Sequence, residues 1–133
     1  MYKHVLLPTD GSGRSERAIA AGIELAKLYG ARVSALFVSE ATYIEEIDAG
    51  RKPRAEAALA FAEQVAAAAG VTCTCVSSVG ETPQQVIVDY AQSKGCDLVV
   101  MGTHGRSRVG KFFLGSVAAS VLADCDVPVL LYR

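Results

Sequence analysis

The residues best suited to chemistry lie in one stretch, residues 97–116. An apolar run from Leu98 to Met101 is typical of a buried parallel strand. A loop with four glycines and three cationic side chains follows, and it ends at Gly115-Ser116, where a helix is predicted with Ser116 as its N-cap. Glycines let a phosphate approach the backbone closely, and the free N–H groups of a helix N-terminus attract anions. This order of strand, glycine-rich basic loop and helix predicts a site for an anionic, phosphate-bearing ligand.

Two familiar phosphate-binding motifs nearly fit the sequence, and each fails at one residue. A G-x-x-x-x-G-K pattern begins at Gly105, but Phe112 follows it, where a P-loop needs a Ser or Thr hydroxyl for Mg²⁺. A G-x-G start at Gly11 follows a predicted strand, but Glu16 stands where the dinucleotide fingerprint has its third glycine. Because a carboxylate is unsuited to contact a pyrophosphate, neither motif is predicted to function.

A third spacing fits throughout: Gly102-x-x-Gly105, nine further residues, and then Gly115-Ser116. In spacing and residue type it resembles the nucleotide-binding signature of the universal stress protein family, in its ATP-binding branch. The alternative is a basic surface loop that only links a strand to a helix. Ordinary links have about four to six residues, so the length and content of this loop favour a functional site.

The resemblance extends to both ends of the chain, through residues 5–12 (VLLPTDGS) and 127–131 (VPVLL). It therefore spans essentially the whole chain. With 133 residues, the chain is long enough for one proper hydrophobic core, so residues 1–133 are predicted to form a single nucleotide-binding domain.

Composition argues against several classes of function. The net charge of −1 disfavours general binding to nucleic acid or to a membrane surface, and there is no run of about 18 apolar residues for a transmembrane helix. The N-terminus leads into a predicted strand without a signal peptide, so a cytoplasmic location is expected. The four cysteines have neither C-x-x-C spacing nor a histidine at metal spacing, so reduced thiols and no metal site are expected.

Strand and helix patterns alternate along the chain. Strands are predicted at residues 3–9, 32–38, 71–77, 97–101 and 127–132, and helices at 14–29, 54–69, from Thr82 to Gly95 and from Ser116. This alternation predicts an α/β fold with an open five-stranded parallel sheet and helices on both faces. The expected strand order is 3-2-1-4-5, as in Rossmann-like folds of the adenine nucleotide α-hydrolase-like type.

Two connections carry further expectations. At the third helix, Thr82 is the expected N-cap, Pro83 the first helical residue, and Gln85 the partner that closes a capping box. The connection 39–53 is acidic and interrupted by glycine and proline. It could form a short helix, a flap over the site or a mobile segment.

In such a sheet, ligands bind at the carboxyl ends of the strands, where the strand order reverses. Strands 1 and 4 are neighbours at that point, so the turn at residues 8–13 and the loop at 102–116 should face each other across one crevice. Two polar segments about ninety residues apart in sequence therefore converge on one predicted site.

The resemblance implies that an adenine nucleotide lies in this crevice. Pro8, Thr9 and Asp10 would line its base and ribose end, with Asp10 accepting hydrogen bonds from ribose hydroxyls. Val38, at the end of strand 2, would flank the adenine through its backbone. Met101 and Gly102 would form the floor of the site. The phosphates would be held through N–H groups and the Ser116 hydroxyl by four residues: Gly105, Gly115, Ser116 and Val117.

Side chains within the loop extend the predicted site. Arg106, Arg108 and Lys111 are candidate phosphate cations on charge alone. His104 is the histidine placed for chemistry, whereas His4, at the start of a strand, is expected to be structural.

No catalytic set is evident in the sequence. Hydrolysis of a nucleotide needs a positioned water, and no general base is available unless His104 or Asp10 serves. Asp10 also has an alternative role as a turn residue or helix cap, since it precedes Gly-Ser.

The resemblance implies an ATP-binding regulator or sensor in a stress response. ATP, ADP or AMP could be the resident ligand, and Mg²⁺ could bind through the phosphates. Two other functions stay open: a slow ATP hydrolase or adenylating enzyme, and a dimeric interaction module without nucleotide.

The last strand predicts an interface. Pro128 belongs at a sheet edge because it cannot donate to a ladder, and an exposed apolar edge favours pairing with another chain. A homodimer through residues 127–132 is therefore expected, as the resemblance also implies, together with an unidentified protein partner. The alternative is that the neighbouring helix covers this strand.

Overall fold

The structure, a computed structural model, describes residues 1–40, 45–80, 82–103 and 114–133. Strands and helices alternate along the chain, as predicted. The strands are β1 (His4–Thr9), β2 (Arg32–Glu40), β3 (Cys73–Gly80), β4 (Leu98–Gly102) and β5 (Val129–Tyr132). The helices are α1 (Gly13–Tyr29), α2 (Glu45–Ala69), α3 (Pro83–Ser93) and α4 (Ser116–Asp124).

The strands form one parallel sheet in the order β3-β2-β1-β4-β5, which confirms the predicted topology. Successive residues of the central strand β1 point to opposite faces. Val5 and Leu7 belong to the core cluster formed with α1 and α2. Leu6 belongs to the cluster formed with α3 and α4. Both faces of the sheet are therefore covered by helices, as a parallel sheet requires.

The two central strands are joined over a short register only. β1 pairs with β2 along its whole length, but it pairs with β4 only at Val5 and Leu6. Pro8, which has no N–H to donate, lies beyond the end of that ladder. β2 in turn continues to Glu40, beyond Phe37, the last β2 residue that has a partner (Thr9) in β1. The carboxyl ends of β1 and β4 thus lie at the point where the strand order reverses, which is where such sheets bind ligands.

The amino ends of the strands are joined by polar contacts. The carboxylate of Asp97 accepts the main-chain N–H groups of Lys3 at 2.8 Å and His4 at 3.0 Å. Nε2 of the buried His4 lies 2.7 Å from Oγ of Ser34 in β2, and the hydroxyl of Tyr90 donates to that oxygen at 3.3 Å. These bonds connect the start of β1 to β2, α3 and β4.

Two ionisable groups in these contacts have shifted pKa values. Burial lowers the pKa of His4, and the guanidinium of Arg32, 3.4 Å from Nδ1, adds to this effect. Although burial acts to raise the pKa of Asp97, the main-chain donors of His4 and Lys3 outweigh it, so this pKa lies below its usual value. His4 is therefore favoured as a neutral ring and Asp97 as a carboxylate.

The second helix begins earlier than predicted. The expected helix at 54–69 is the C-terminal part of α2, which starts at Glu45 and contains Pro53. An interior proline removes one intrahelical hydrogen bond, but helix can continue on both sides of it. Residues 45–53 of the connection 39–53 are therefore helical. Residues 41–44 lie outside the described chain.

Two predicted helix caps differ from the structure. Ser116 is the first residue of α4, and Gly115 is the N-cap. Thr82 is the N-cap of α3 and Pro83 opens the helix, but the Thr82 side chain makes no capping bond. The capping box is wrong, because Nε2 of Gln85 donates to Oδ1 of Asp89 at 2.8 Å instead.

β3 and β5 are the two edge strands of the sheet. On β5, the side chains of Leu130 and Tyr132 are exposed, while Val129 and Leu131 pack against the core. The predicted position of the last strand at an edge is thus confirmed. Within the described residues, no helix is long and apolar enough to cross a membrane.

Candidate functional site

The turn after β1 is organised by the carboxylate of Asp10. Its Oδ1 accepts the main-chain N–H of Ser12 at 2.9 Å and the hydroxyl of Ser15 at 2.8 Å. Ser12 is the N-cap of α1, and its hydroxyl oxygen accepts the N–H of Ser15 at 3.2 Å. Asp10 therefore acts as a turn residue, one of the alternative roles expected from the sequence, while Ser12 rather than Asp10 caps the helix.

The same carboxylate keeps one oxygen for a further partner. Both hydrogen bonds that it accepts within the described residues involve Oδ1, so Oδ2 is available to a ligand. Pro8 and Thr9 are buried in β1, and Oγ1 of Thr9 accepts the N–H of Gly11 at 3.1 Å. Of the three predicted residues on this side, Asp10 presents the partly exposed charged group.

The N-terminus of α4 forms the other side of the crevice. The N-cap Gly115 has an extended backbone and offers no side chain to the helix. Its own N–H donates to the carbonyl of Thr103 at 2.7 Å, which ties the end of β4 to the start of α4. The first intrahelical bond runs from the N–H of Ala119 to Gly115 at 2.9 Å. The N–H groups from Ser116 to Ala118 therefore have no intrahelical partner.

This geometry narrows the donors that a bound anion could use. The N–H of Gly115, which was expected to contact phosphates, is already bonded to Thr103. Among the described residues, the donors left at this helix end are the N–H groups of Ser116, Val117 and Ala118, together with the hydroxyl of the exposed Ser116. The positive end of the helix dipole favours an anion at the same place.

Three further predicted residues lie where the strands end. The side chains of Val38 and Met101 are buried in the same core cluster, and Gly102 is the last residue of β4. Val38 is not at the end of its strand, as had been expected, because β2 continues to Glu40. Val38 lies just past Phe37, the last residue of β2 that pairs with β1, and it is still paired with Ser78 of β3.

Two buried polar atoms at this end of the sheet were not anticipated. Within the described part of the chain, Ser39 Oγ and Arg54 Nε are buried and have no hydrogen-bond partner. Ser39 is the penultimate residue of β2, and the carbonyl of Arg54 lies 3.9 Å from the position of a Cβ on Gly11. Arg54, from α2, therefore lies beside the turn that carries Asp10, and no motif in the sequence pointed to it.

Other predicted site residues lie outside the described chain. These are His104, Gly105 and Arg106, together with the candidate cations Arg108 and Lys111. Their roles stay predictions. The described residues of the two predicted turns do meet at one end of the sheet, as the strand order required.

Comparison with known proteins identifies the family. The model of the universal stress protein family matches residues 1–133. The chain belongs to this family. A universal stress protein of Thermus aquaticus, encoded in the 3′ region of a QAH/OAS sulfhydrylase, is 34% identical over 137 residues, with 100% of both chains covered.

Solved structures of similar proteins share the fold. Hypothetical protein MJ0577 of Methanocaldococcus jannaschii superposes with a TM-score of 0.87 at 28% identity, covering 98% of this chain and 95% of that one. A universal stress protein solved in complex with cAMP gives a TM-score of 0.80 at 26% identity, covering 99% and 97%. The fold of this universal stress protein is therefore one on which an adenine nucleotide has been observed.

Proposed function

We propose that this universal stress protein binds an adenine nucleotide, ATP in the first instance, in the crevice between β1 and β4. Two observations carry the proposal: α4 begins at Gly115 without a side-chain cap, and among the described residues the Asp10 carboxylate accepts hydrogen bonds through Oδ1 only. Both follow strands that are neighbours where the strand order reverses. The cAMP complex of a similar protein supports the class of ligand.

The phosphates occupy the N-terminus of α4 in this proposal. They accept hydrogen bonds from the N–H groups of Ser116 and Val117 and from the Ser116 hydroxyl. The N–H of Gly115 is bonded to the carbonyl of Thr103 and is not used for the phosphates. Gly115 contributes instead by having no Cβ, which leaves room for the phosphates. Gly105 and Arg106, with His104, complete the phosphate end as the sequence predicts, and Mg²⁺ binds only through the phosphates.

The nucleoside occupies the β1 side of the crevice. Oδ2 of Asp10 accepts a ribose hydroxyl, while Oδ1 keeps the turn in place. The main chain at Val38, just past the last residue of β2 that pairs with β1, flanks the adenine, and Met101 and Gly102 form the floor. Ser39 and Arg54 border this end, and a bound ligand would give their unpartnered atoms an acceptor or donor.

The role proposed for the nucleotide is regulatory. The protein acts as a sensor in the stress response, and its affinity for a protein partner depends on the bound nucleotide. Residues 1–133 act as one domain, and the location is the cytoplasm, where the four free thiols suit a reducing compartment.

A homodimer through β5 is part of this proposal. Leu130 and Tyr132 are exposed on an edge strand, and Leu122 of α4 is half exposed. A second copy would cover this apolar edge. Light scattering tests it: Leu130→Lys should convert the dimer to a monomer, and a dimer that persists would move the interface elsewhere.

One experiment tests nucleotide binding first. The purified protein is denatured, released small molecules are identified by chromatography and mass spectrometry, and the emptied, refolded protein is titrated with ATP. Released ATP supports a sensor, and ADP that accumulates with time indicates slow hydrolysis. A protein that releases no nucleotide and binds no added ATP would overturn the proposal and favour an interaction module.

A further inference from the structure

Two cysteine thiols lie side by side on the free edge of the sheet. Cys73 and Cys75 are two residues apart in β3, so both side chains point to the same face of the sheet. Their Sγ atoms are 3.9 Å apart, and both residues are half-buried and free of disulfides. β3 has no neighbour on its outer side, whereas β5 forms the opposite edge. The pair is thus remote from the edge proposed for the dimer.

Other polar groups border the pair on the side of α2. Sγ of Cys75 donates to the carbonyl oxygen of Leu59 at 3.6 Å. The carboxylate of Glu63, on the same helix, is near enough to act electrostatically on both thiols. The nucleotide crevice uses neither cysteine, so these two sulfurs have no assigned role.

The surroundings disfavour thiol redox chemistry. Burial raises the pKa of Cys73 to about 12, with Cys75 adding to the shift, and burial also raises the pKa of Cys75. Both groups are therefore protonated thiols near neutral pH, and the thiol rather than the thiolate is a poor nucleophile. Geometry points the same way, because residues i and i+2 of a strand have Cα atoms about 6.6 Å apart, near the upper limit for a disulfide.

We propose that Cys73 and Cys75 form a two-sulfur site for a soft, thiol-seeking cation of the Cu(I) class. Two-coordinate Cu(I) prefers a linear S–metal–S arrangement, which with metal–sulfur bonds of about 2.3 Å needs a sulfur separation of about 4.6 Å. The present separation of 3.9 Å can widen to this value by small side-chain rotations, with little movement of the strand. Soft thiolate ligands select Cu(I) over the hard cations.

The number of ligands limits which ion fits. Across the described ranges, no group of three or more His, Cys, Asp and Glu side chains is placed to hold a metal ion. Structural zinc takes four protein ligands and is disfavoured by this count, whereas Cu(I) accepts two or three. On binding, each thiol releases one proton to solvent, two sulfur–metal bonds form, and no electron is transferred.

Competition with a coloured chelator tests the site. Under anaerobic conditions the protein is titrated against the Cu(I)–bicinchoninate complex, and the wild type should remove one equivalent of Cu(I). Cys73→Ser and Cys75→Ser should each lower the affinity by about 100-fold or more, because one remaining thiol cannot chelate. Cys125→Ser, a matched change of a half-buried cysteine elsewhere, should leave it unchanged.

Controls keep the result distinct from folding and from nucleotide binding. Cys73→Ala and Cys75→Ala provide smaller apolar replacements where serine disturbs the half-buried position, and circular dichroism checks the fold of every variant. Binding of ATP should be the same in all of them. A wild type that competes no better than the Cys73→Ala/Cys75→Ala double variant overturns the proposal, as does a Cys73–Cys75 disulfide that forms in preference to the copper complex.

Discussion

Polar groups at the amino end of the sheet are hydrogen-bonded within the protein, whereas several described ones at the carboxyl end have no partner. At the amino end, Asp97 binds the main-chain N–H groups of Lys3 and His4, and the ring of His4 contacts Ser34. At the carboxyl end, within the described residues, Ser39 Oγ and Arg54 Nε are buried without partners. There α4 also begins without a side-chain cap. Because unpartnered buried polar groups are costly, we infer that a ligand completes the carboxyl end.

The direction of the chain explains this asymmetry. In a parallel sheet with crossover helices, helix N-termini and their free N–H groups gather at the carboxyl ends of the strands. Helix C-termini gather at the amino ends, and here three of them close in the same way. The N–H of the residue after a terminal glycine bonds to the last turn at Ala31, Val71 and Cys96, with distances of 2.8, 2.9 and 2.9 Å. One end of the fold is thus closed by its own backbone, and the other keeps donors free.

The largest effect is expected from a side chain that fills the space at the N-terminus of α4. Gly115→Val adds a branched side chain at the start of α4, at a backbone conformation that valine tolerates. Affinity for ATP should fall roughly 100-fold or more, since two hydrogen bonds to a charged group are worth about 1.5–3 kcal/mol each. Calorimetric titration measures the affinity, and thermal unfolding checks the fold. An affinity within a few-fold of wild type in a folded variant would place the phosphates elsewhere.

A smaller effect is expected on the β1 side of the crevice. Asp10→Asn keeps an oxygen for Ser12 and Ser15 but replaces the free Oδ2 by a donor. The affinity for ATP should weaken by about 1–3 kcal/mol, the usual cost of a lost charge-assisted hydrogen bond. Asp89→Asn, a surface change of the same type on α3, is the control. If both variants bind ATP alike, Asp10 is a turn residue only.

The amino end should respond in stability rather than in binding. Asp97→Ala removes the acceptor of two main-chain N–H groups and should lower the free energy of unfolding by about 1–2 kcal/mol. Urea denaturation measures this loss, and the ATP affinity of the folded variant should be unchanged. A parallel loss of affinity would mean that the two ends of the sheet are not independent.

The smallest effect is a pH dependence carried by His4. Its folded pKa lies below the unfolded value of about 6.5, so below that pH the unfolded state binds more protons. The stability contribution is constant above about pH 6.5 and falls as the pH drops towards the folded pKa, by at most about 1.4 kcal/mol per pH unit. Stability of wild type and His4→Gln is compared by urea denaturation between about pH 7.5 and 4.5.

The groups around His4 keep this interval free of other titrations. Asp97 titrates below it because its pKa is lowered, and the guanidinium of Arg32, 3.4 Å from Nδ1, is the other charged group that faces the ring. Burial raises the pKa of Cys96, 3.7 Å from the ring, to about 11. If His4→Gln shows the same pH dependence as wild type, the loss of stability arises from other groups.

Much of the fold could be predicted because its signals are local. Alternating strand and helix patterns predicted the parallel sheet and its order, and glycines after three helices predicted where these helices end. Local signals were wrong at the start of α2, where helix continues through Pro53, and at Gln85, whose side chain bonds to Asp89. A proline can either end a helix or lie within it, and a glutamine side chain near a helix start can bond to the cap or to another side chain. Tertiary packing selects between these alternatives.

The strand order that locates the candidate site was predicted, but the hydrogen bonds within the site were not. The sequence analysis assigned Asp10 and Gly115 to one crevice; β1 and β4, which precede them, are neighbours in the sheet, and the binding roles of the two residues stay predictions. It gave no signal for Arg54, because the approach of α2 to the β1 turn depends on how the helix lies over the sheet. Nor could it indicate that the sulfurs of Cys73 and Cys75 lie 3.9 Å apart.

The order of the strands and helices and the three helix ends at glycines could be predicted from the sequence alone, since they follow from backbone preferences and from the period of burial. Only the tertiary structure decided which polar atoms stay free. The carbonyl of Thr103 accepts the N–H of Gly115, and Oδ1 of Asp10 accepts the bonds from Ser12 and Ser15, so that Oδ2 has no partner among the described residues. Hydrogen-bond partners are chosen by distance and angle in three dimensions, and spacing along a chain does not encode these quantities.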